Sequence, residues 1–197
     1  VLNWIKKQKG FLTTMNQLKK IYCRVFQTAF KIALPFLPYR KPEIVGSVKA
    51  LPEIIRKNNC DNVLVITDTG IRKLGLTKRL EKALAAGGIT FTIYDQTVAN
   101  PTTANVAEAL EIYQSGGCNA IIGFGGGSSM DCAKAVAVCA AKPGKSLEKM
   151  KGILKVHTKL PLIIAIPTTA GTGSETTLAA VITDAETRHK YAINDFP

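Results

Sequence analysis

Short apolar runs and helical patterns alternate along residues 42–197 of the chain. The runs are rich in β-branched residues and occupy 63–67, 89–94, 119–124 and 162–166. Because they have no regular polar face, they are typical of strands in a parallel sheet that is covered on both sides. Helical patterns lie between them at 70–86, 102–115 and 128–140, the last with Ala133, Val136 and Ala137 toward the sheet. Strand and helix in turn predict an α/β fold with an open, mostly parallel sheet and flanking helices.

Two weaker segments at 43–46 and 178–183 are expected to add an extended pair beside this sheet, although the second is equally compatible with a helix. No long linker or repeat interrupts residues 42–197, so we expect them to form one domain.

Residues 1–41 form a basic arm ahead of this domain. The chain has 26 Lys and Arg against 14 Asp and Glu, and nine of the basic residues precede the first acid, Glu43. Within the arm, apolar residues recur at helical spacing, with Lys20, Arg24 and Lys31 largely outside their stripe: Leu18, Tyr22, Val25, Ala29 and Ile32. The pattern predicts one amphipathic helix that ends before Pro35, Pro38 and Pro42. Such a helix can lie on a membrane surface, but we favour a helix that covers a flank of the domain or a neighbouring subunit.

The composition disfavours a membrane-spanning or secreted protein. No run of about 18 apolar residues is present, and no signal-peptide arrangement occurs at the start of the sequence. The five cysteines are scattered and contain no C-x-x-C pair, which argues against a disulfide framework or a zinc site. Buried thiols in a reducing compartment are expected, so the sequence predicts a cytoplasmic protein.

Three glycines follow the run that ends at Phe124. Gly125, Gly126 and Gly127 leave backbone bare, and Ser128 is expected to open a helix whose free N–H groups favour an anion such as phosphate. The spacing matches neither a Walker loop nor G-x-G-x-x-G. Ser128 and Asp131 form an S-x-x-D capping pattern, so we assign Asp131 a structural role and no catalytic one.

A hydroxyl-rich segment, IPTTAGTGSETT at 166–177, follows the last apolar run. Considered alone, it is best interpreted as a turn that caps a following helix. In a parallel sheet, however, the carboxyl ends of strands meet at one edge, which brings this segment toward the glycine triplet. The two together predict a diphosphate cleft with two walls.

These two loops and several further segments resemble the iron-containing (group III) alcohol dehydrogenases, which are related to dehydroquinate synthase and glycerol dehydrogenase. The resemblance covers residues 42–197 and rests on VITDTGIRKLGL at 65–76, ANPT at 99–102, GFGGGSSMDCAKAVA at 123–137, PLIIAIPTTAGTGSETT at 161–177 and AAVITDAETRHKYAIND at 179–195. It implies the Rossmann-like dinucleotide-binding half of a dehydroquinate synthase-like fold.

The resemblance also implies a role for each residue of the cleft. Asn100 lines the nicotinamide side, Lys190 completes the site, and the remaining residues hold the pyrophosphate (Gly126, Gly127 and Ser128) or line the facing wall (Thr168, Thr169, Thr172 and Thr177). Asp68 follows a strand, where a carboxylate can accept both hydroxyls of a ribose and repel a 2′-phosphate, so NAD is favoured over NADP. The alternative is that Asp68 only caps the next helix. His157 and His189 match no ligand position of the family and are expected on the surface.

As a function, the resemblance implies a metal-dependent, NAD-linked alcohol dehydrogenase that acts on a small alcohol or aldehyde and is a homo-oligomer when full-length. Family members continue with a helical half that binds iron or zinc through an Asp and three His. This half is absent from the 197 residues, so we expect no catalytic or metal-binding residue here and no activity from this chain alone. The alternatives are a non-catalytic dinucleotide-binding module and, less favoured, a protein that binds membrane or nucleic-acid surfaces through residues 1–41. We expect neither nucleic-acid binding nor stable membrane insertion.

Overall fold

The computed structural model describes residues 17–33, 42–153, 155–177 and 179–194. The chain divides into two compact units, Val1–Tyr39 and Arg40–Pro197. The first contains helix α1, Gln17–Ala33, where the sequence predicts an amphipathic helix. The predicted stop at Pro35 and Pro38 lies outside the described residues.

The second unit is built on a parallel sheet of four strands in the order β2-β1-β3-β5. The strands are β1 (Asn62–Ile66), β2 (Thr90–Tyr94), β3 (Ala120–Gly125) and β5 (Leu162–Pro167). Every residue of β3 is buried, which explains why its sequence is apolar throughout rather than alternating. All four predicted strands and the predicted parallel sheet are confirmed. The expected cover on both faces holds for β1 and β3, whereas the edge strands β2 and β5 are only partly buried.

The helical patterns predicted between the strands are confirmed with one difference, and a short helix ahead of β1 was not predicted. The helices are α2 (Leu51–Lys57), α3 (Thr69–Lys73), α4 (Lys78–Ala86), α5 (Thr103–Ser115) and α6 (Gly127–Ala141). The single helix predicted at 70–86 is two helices, α3 and α4, because Gly75 adopts φ +67° between them. The break leaves Leu74 74% exposed, although the helical pattern places it on the apolar face.

A second sheet has three strands, which are hydrogen-bonded in the order β4-β7-β6. Its strands are β4 (Gly152–Ile153), β6 (Ala179–Thr183) and β7 (Lys190–Asn194). Residues 179–183 of the segment predicted at 178–183 are therefore extended, and they pair antiparallel with β7. The strand predicted at 43–46 is wrong: these residues are irregular and Ile44 is 94% exposed, so no buried face stabilises a strand there.

Helix α6 carries much of the core. Ala133, Val136 and Ala137 are fully buried, as predicted from their spacing. Of the cysteines, Cys60, Cys118 and Cys132 are buried, whereas Cys23 on α1 is exposed, which corrects the expectation that all are buried. Burial raises the pKa of the Cys132 thiol to about 12. In the part of the chain that the structure describes, no helix is both long enough and apolar enough to cross a bilayer.

Candidate functional site

The carboxyl ends of β1, β3 and β5 converge at one edge of the sheet, because the three strands are parallel and adjacent. Asp68 follows β1, the glycine triplet ends β3, and Thr168 follows β5. The N–H of Thr168 donates to the carbonyl oxygen of Gly125 over 2.9 Å. A side chain added at Gly125 would place its Cβ 3.5 Å from Oδ2 of Asp68. The structure therefore brings all three strand ends together, as the sequence predicts.

For each glycine of the triplet, the position that a Cβ atom would occupy lies close to the hydroxyl oxygen of a serine or threonine. A Cβ on Gly126 would lie 3.4 Å from Oγ1 of Thr169, and a Cβ on Gly127 would lie 2.9 Å from Oγ of Ser174. Gly125 adopts φ +144°, a conformation that favours glycine. The loop is thus a strip of bare backbone that leads into the N-terminus of α6, where unpaired N–H groups attract anions.

The capping pattern predicted for Ser128 and Asp131 is wrong. Helix α6 begins one residue earlier than predicted, with Gly126 as its N-cap and no side chain capping it. The hydroxyl of Ser128 instead accepts the backbone N–H of Asn100 over 3.1 Å. The carboxylate of Asp131 accepts the backbone N–H of Val181 over 3.3 Å. Both residues have partners from distant segments, which compete with a local cap.

Asn100, Ser128 and Lys190 are joined by hydrogen bonds. Nζ of Lys190, the first residue of β7, donates to Oδ1 of Asn100 over 2.8 Å. Asn100 adopts φ +59° in the turn before α5. Because the backbone N–H of Asn100 also donates to Ser128, residues that are up to 90 positions apart form one hydrogen-bonded polar group.

Asp68 is the N-cap of α3, and its Oδ1 accepts the N–H of Ile71 over 2.9 Å. The capping role that the sequence offers as an alternative is thus present. Oδ2 is the oxygen nearer to Gly125. One carboxylate therefore caps a helix with one oxygen and presents the other toward the glycine loop.

The hydroxyl-rich segment is a compact loop that connects β5 with β6. It does not cap a helix, because residues 174–176 form a turn and β6 follows at Ala179. Gly171 and Gly173 have φ +90° and +64°, and the N–H groups of Thr176 and Thr177 donate to the carbonyl of Gly173 over 3.0 and 3.1 Å. Five threonines are exposed on this loop: Thr168, Thr169, Thr172, Thr176 and Thr177.

Lys134 holds the far end of this loop, and the sequence reasoning misses it. Its Nζ donates to Oγ1 of Thr177 over 3.1 Å and to the carbonyl of Ala179 over 2.9 Å, and it lies 3.6 Å from Oδ1 of Asp131. Burial lowers the pKa of Lys134 and raises that of Asp131, and each charge partly offsets the effect on the other. The D-x-x-K spacing on a helix is a signal for an ion pair, but the identity of its partners depends on the tertiary fold.

The histidines do not contribute to this cleft. His157 and His189 are exposed, as predicted, and Nε2 of His189 lies 3.2 Å from Nζ of Lys151. Across the described ranges, no three or more His, Cys, Asp or Glu side chains are grouped so that they could hold a metal ion.

Comparison with known proteins decides the family. A family model described as "Iron-containing alcohol dehydrogenase" matches residues 44–197. The chain belongs to this family. Alcohol dehydrogenase 4 of Schizosaccharomyces pombe is 42% identical over 151 residues, which are 76% of this chain and 35% of that protein.

Solved structures of family members have the same fold. A 1,3-propanediol oxidoreductase superposes with a TM-score of 0.76 at 31% identity, covering 81% of this chain and 43% of the other. Sulfoacetaldehyde reductase from Bifidobacterium kashiwanohense in complex with NAD+ superposes with a TM-score of 0.67 at 28% identity, again covering 81% and 43%. The chain therefore spans less than half the length of these relatives.

Proposed function

We propose that this chain is the NAD-binding part of a metal-dependent alcohol dehydrogenase, which transfers hydride between a nicotinamide and an alcohol or aldehyde carbon. Membership of the family and the likeness to a reductase in complex with NAD+ support the reaction class. The observation that carries the proposal is the glycine loop, which leads into α6 and faces the hydroxyl-rich loop.

The residues of the cleft suit a dinucleotide. Gly126, Gly127 and Ser128 offer bare backbone, free amides and a hydroxyl, which suit a pyrophosphate. Thr168, Thr169, Thr172 and Thr177 supply the facing hydroxyl wall, and Asn100 and Lys190 form a polar edge that suits the nicotinamide and its ribose. We assign Asp68 to the adenine ribose, from whose hydroxyls Oδ2 can accept hydrogen bonds. Because the carboxylate would repel a 2′-phosphate, we favour NAD over NADP.

The described residues do not suit a catalytic metal, because they contain no suitable group of ligands. We propose that iron or zinc is held by a helical part that the relatives have and that the matched residues 44–197 do not include. A metal of this kind would act as a Lewis acid on the substrate oxygen. The substrate is proposed as a small alcohol or aldehyde, and the protein as a cytoplasmic homo-oligomer.

Replacement of Gly126 by Val tests the cofactor site. Its Cβ lies at ordinary contact distance from Thr169, so the fold should accept the side chain, while the branched methyls occupy space needed by the pyrophosphate. We expect calorimetry to show a loss of NAD affinity of about a hundredfold or more, since clashes typically cost several kcal/mol.

The matched control is Gly46→Val, where nothing lies within 4 Å of the added Cβ and the backbone is not in a glycine-only conformation. It should bind NAD as the parent chain does. Equal NAD affinity in the folded Gly126→Val variant and the parent chain would refute the proposed pyrophosphate site.

A further inference from the structure

Helix α1 presents an apolar face and a basic face, and the described side chains of both are exposed. The apolar side chains of Ile21, Tyr22, Val25 and Ile32 are 57, 70, 62 and 67% exposed. The basic side chains of Lys20, Arg24 and Lys31 are also exposed, and the helix contains no acidic residue. At 3.6 residues per turn, the two sets do not overlap and form separate, adjacent faces whose centres lie about 120° apart around the helix.

The arm around α1 is rich in aromatic residues. Tyr22 and Phe26 stack on the helix with ring centroids 6.4 Å apart and an interplanar angle of 22°. The single Trp of the chain, Trp4, and six of its twelve Phe and Tyr residues belong to residues 1–41. Tyr and Trp favour the boundary between a bilayer and water, because one end of each side chain is apolar and the other is polar.

Helix α1 has 17 residues. An isolated helix of about this length is only marginally stable in water, so most of its stability comes from burying its apolar face. The surface that covers it must accept apolar side chains and must also tolerate positive charge. The arm has nine Lys and Arg and no Asp or Glu, so two copies of it would repel each other.

We propose that helix α1 binds the surface of an anionic lipid bilayer and lies in the plane of the interface. Ile21, Tyr22, Val25 and Ile32 enter the boundary of the acyl chains, and Lys20, Arg24 and Lys31 remain among the lipid phosphates. Double-stranded DNA satisfies the charge but leaves the apolar face in water, so the bilayer accounts for both faces. This proposal is independent of the proposed enzyme function.

Vesicle binding tests the proposal with the 197-residue chain. The chain is titrated with vesicles of phosphatidylglycerol and phosphatidylcholine, or of phosphatidylcholine alone, and Trp4 fluorescence and co-sedimentation are recorded. We expect a blue shift and binding with the anionic vesicles, reduced by added salt. Each cation near an anionic surface is worth about fivefold in partitioning, so Lys20→Gln, Arg24→Gln and Lys31→Gln together should weaken binding about a hundredfold.

Two further variants make the result specific. Lys57→Gln, Arg79→Gln and Lys82→Gln remove the same charge from exposed positions of α2 and α4 and should leave binding unchanged. The double variant Val25→Ser, Ile32→Ser keeps every charge. It should abolish the blue shift of Trp4 fluorescence and reduce the salt-dependent co-sedimentation with anionic vesicles. Circular dichroism confirms that each variant retains the helical and strand content of its domain.

Several results would overturn the proposal. The first is no binding to anionic vesicles, and the second is equal binding to vesicles of phosphatidylcholine alone. The third is that the triple variant of Lys57, Arg79 and Lys82 weakens vesicle binding as much as the triple variant of α1. Tighter binding to DNA than to anionic vesicles would assign the arm to nucleic acid. Self-association that Val25→Ser and Ile32→Ser abolish, without vesicle binding, would assign the face to a second copy of the chain.

Discussion

Asp68 combines a structural and a proposed binding role in one carboxylate, and the two oxygens make the roles separable. Oδ1 caps α3 through the N–H of Ile71, while Oδ2 is the oxygen nearer to Gly125. An Asn at this position can still cap the helix, because its side-chain oxygen is also an acceptor, but it carries no charge to repel a 2′-phosphate.

We therefore expect Asp68→Asn to raise the affinity for NADP relative to NAD by about tenfold with little change in stability, whereas Asp68→Ala should cost about 1 kcal/mol of unfolding free energy. Calorimetry with both cofactors and urea unfolding measure these effects. Asp61→Asn, at the opposite end of β1, is the charge-matched control and should leave the ratio unchanged. An unchanged ratio in Asp68→Asn would restrict Asp68 to helix capping.

At the scale of elements, the hydroxyl-rich loop is held at two ends by different means. Its first residue is fixed by a backbone hydrogen bond from Thr168 to Gly125, which no substitution of a side chain removes directly. Its last residues are held by the side chain of Lys134, which bonds Thr177 and Ala179, while Asp131 holds Val181. Helix α6 thus starts at the glycine loop and also positions the wall that faces it.

Replacement of Lys134 by Met keeps the aliphatic stem and removes these hydrogen bonds. We expect faster hydrogen exchange at the amides of Thr176 and Thr177, with β1 and β3 unchanged, and a loss of about tenfold in NAD affinity, the usual size for one positioning contact. Lys82→Met on the exposed face of α4 is the control. Uniformly faster exchange throughout the sheet would instead indicate that Lys134 supports the fold as a whole.

The elements that could be predicted from sequence are those whose signal is local. β1 and β3 were predictable because covered strands are apolar without interruption. β2 and β5, the partly exposed edge strands, were predictable from their apolar and β-branched residues. The break at Gly75 was not, because an isolated glycine is compatible with both a continuous helix and a left-handed turn. Asp131 accepts a hydrogen bond from the backbone N–H of Val181, 50 residues away, instead of completing the local cap that the sequence predicts. Contacts of this kind depend on the tertiary structure, so the details of the site could not be predicted from the sequence.

At the scale of the whole molecule, we propose that the described residues form only one wall of a reaction site. Hydride transfer requires the nicotinamide carbon and the substrate carbon to be held about 3.5 Å apart, with the substrate oxygen activated. The glycine loop and the hydroxyl-rich loop suit the first of these, and no group of metal ligands is present among residues 17–33, 42–153, 155–177 and 179–194. The matched relatives are more than twice as long as the segment that they share with this chain.

We therefore expect the 197-residue chain to bind NAD without turnover. Supplied with NAD, iron or zinc, and a series of primary alcohols, it should produce no NADH above background, because the proposed cofactor wall does not by itself orient or activate a substrate. Absorbance of NADH measures the reaction, and alcohol dehydrogenase 4 of Schizosaccharomyces pombe serves as the positive control in the same assay. Calorimetry with NAD separates an inactive but binding chain from one that has lost the cofactor site. Reproducible NADH formation that a chelator abolishes would contradict this expectation, since it would require metal ligands among the residues of this chain and a complete site within it.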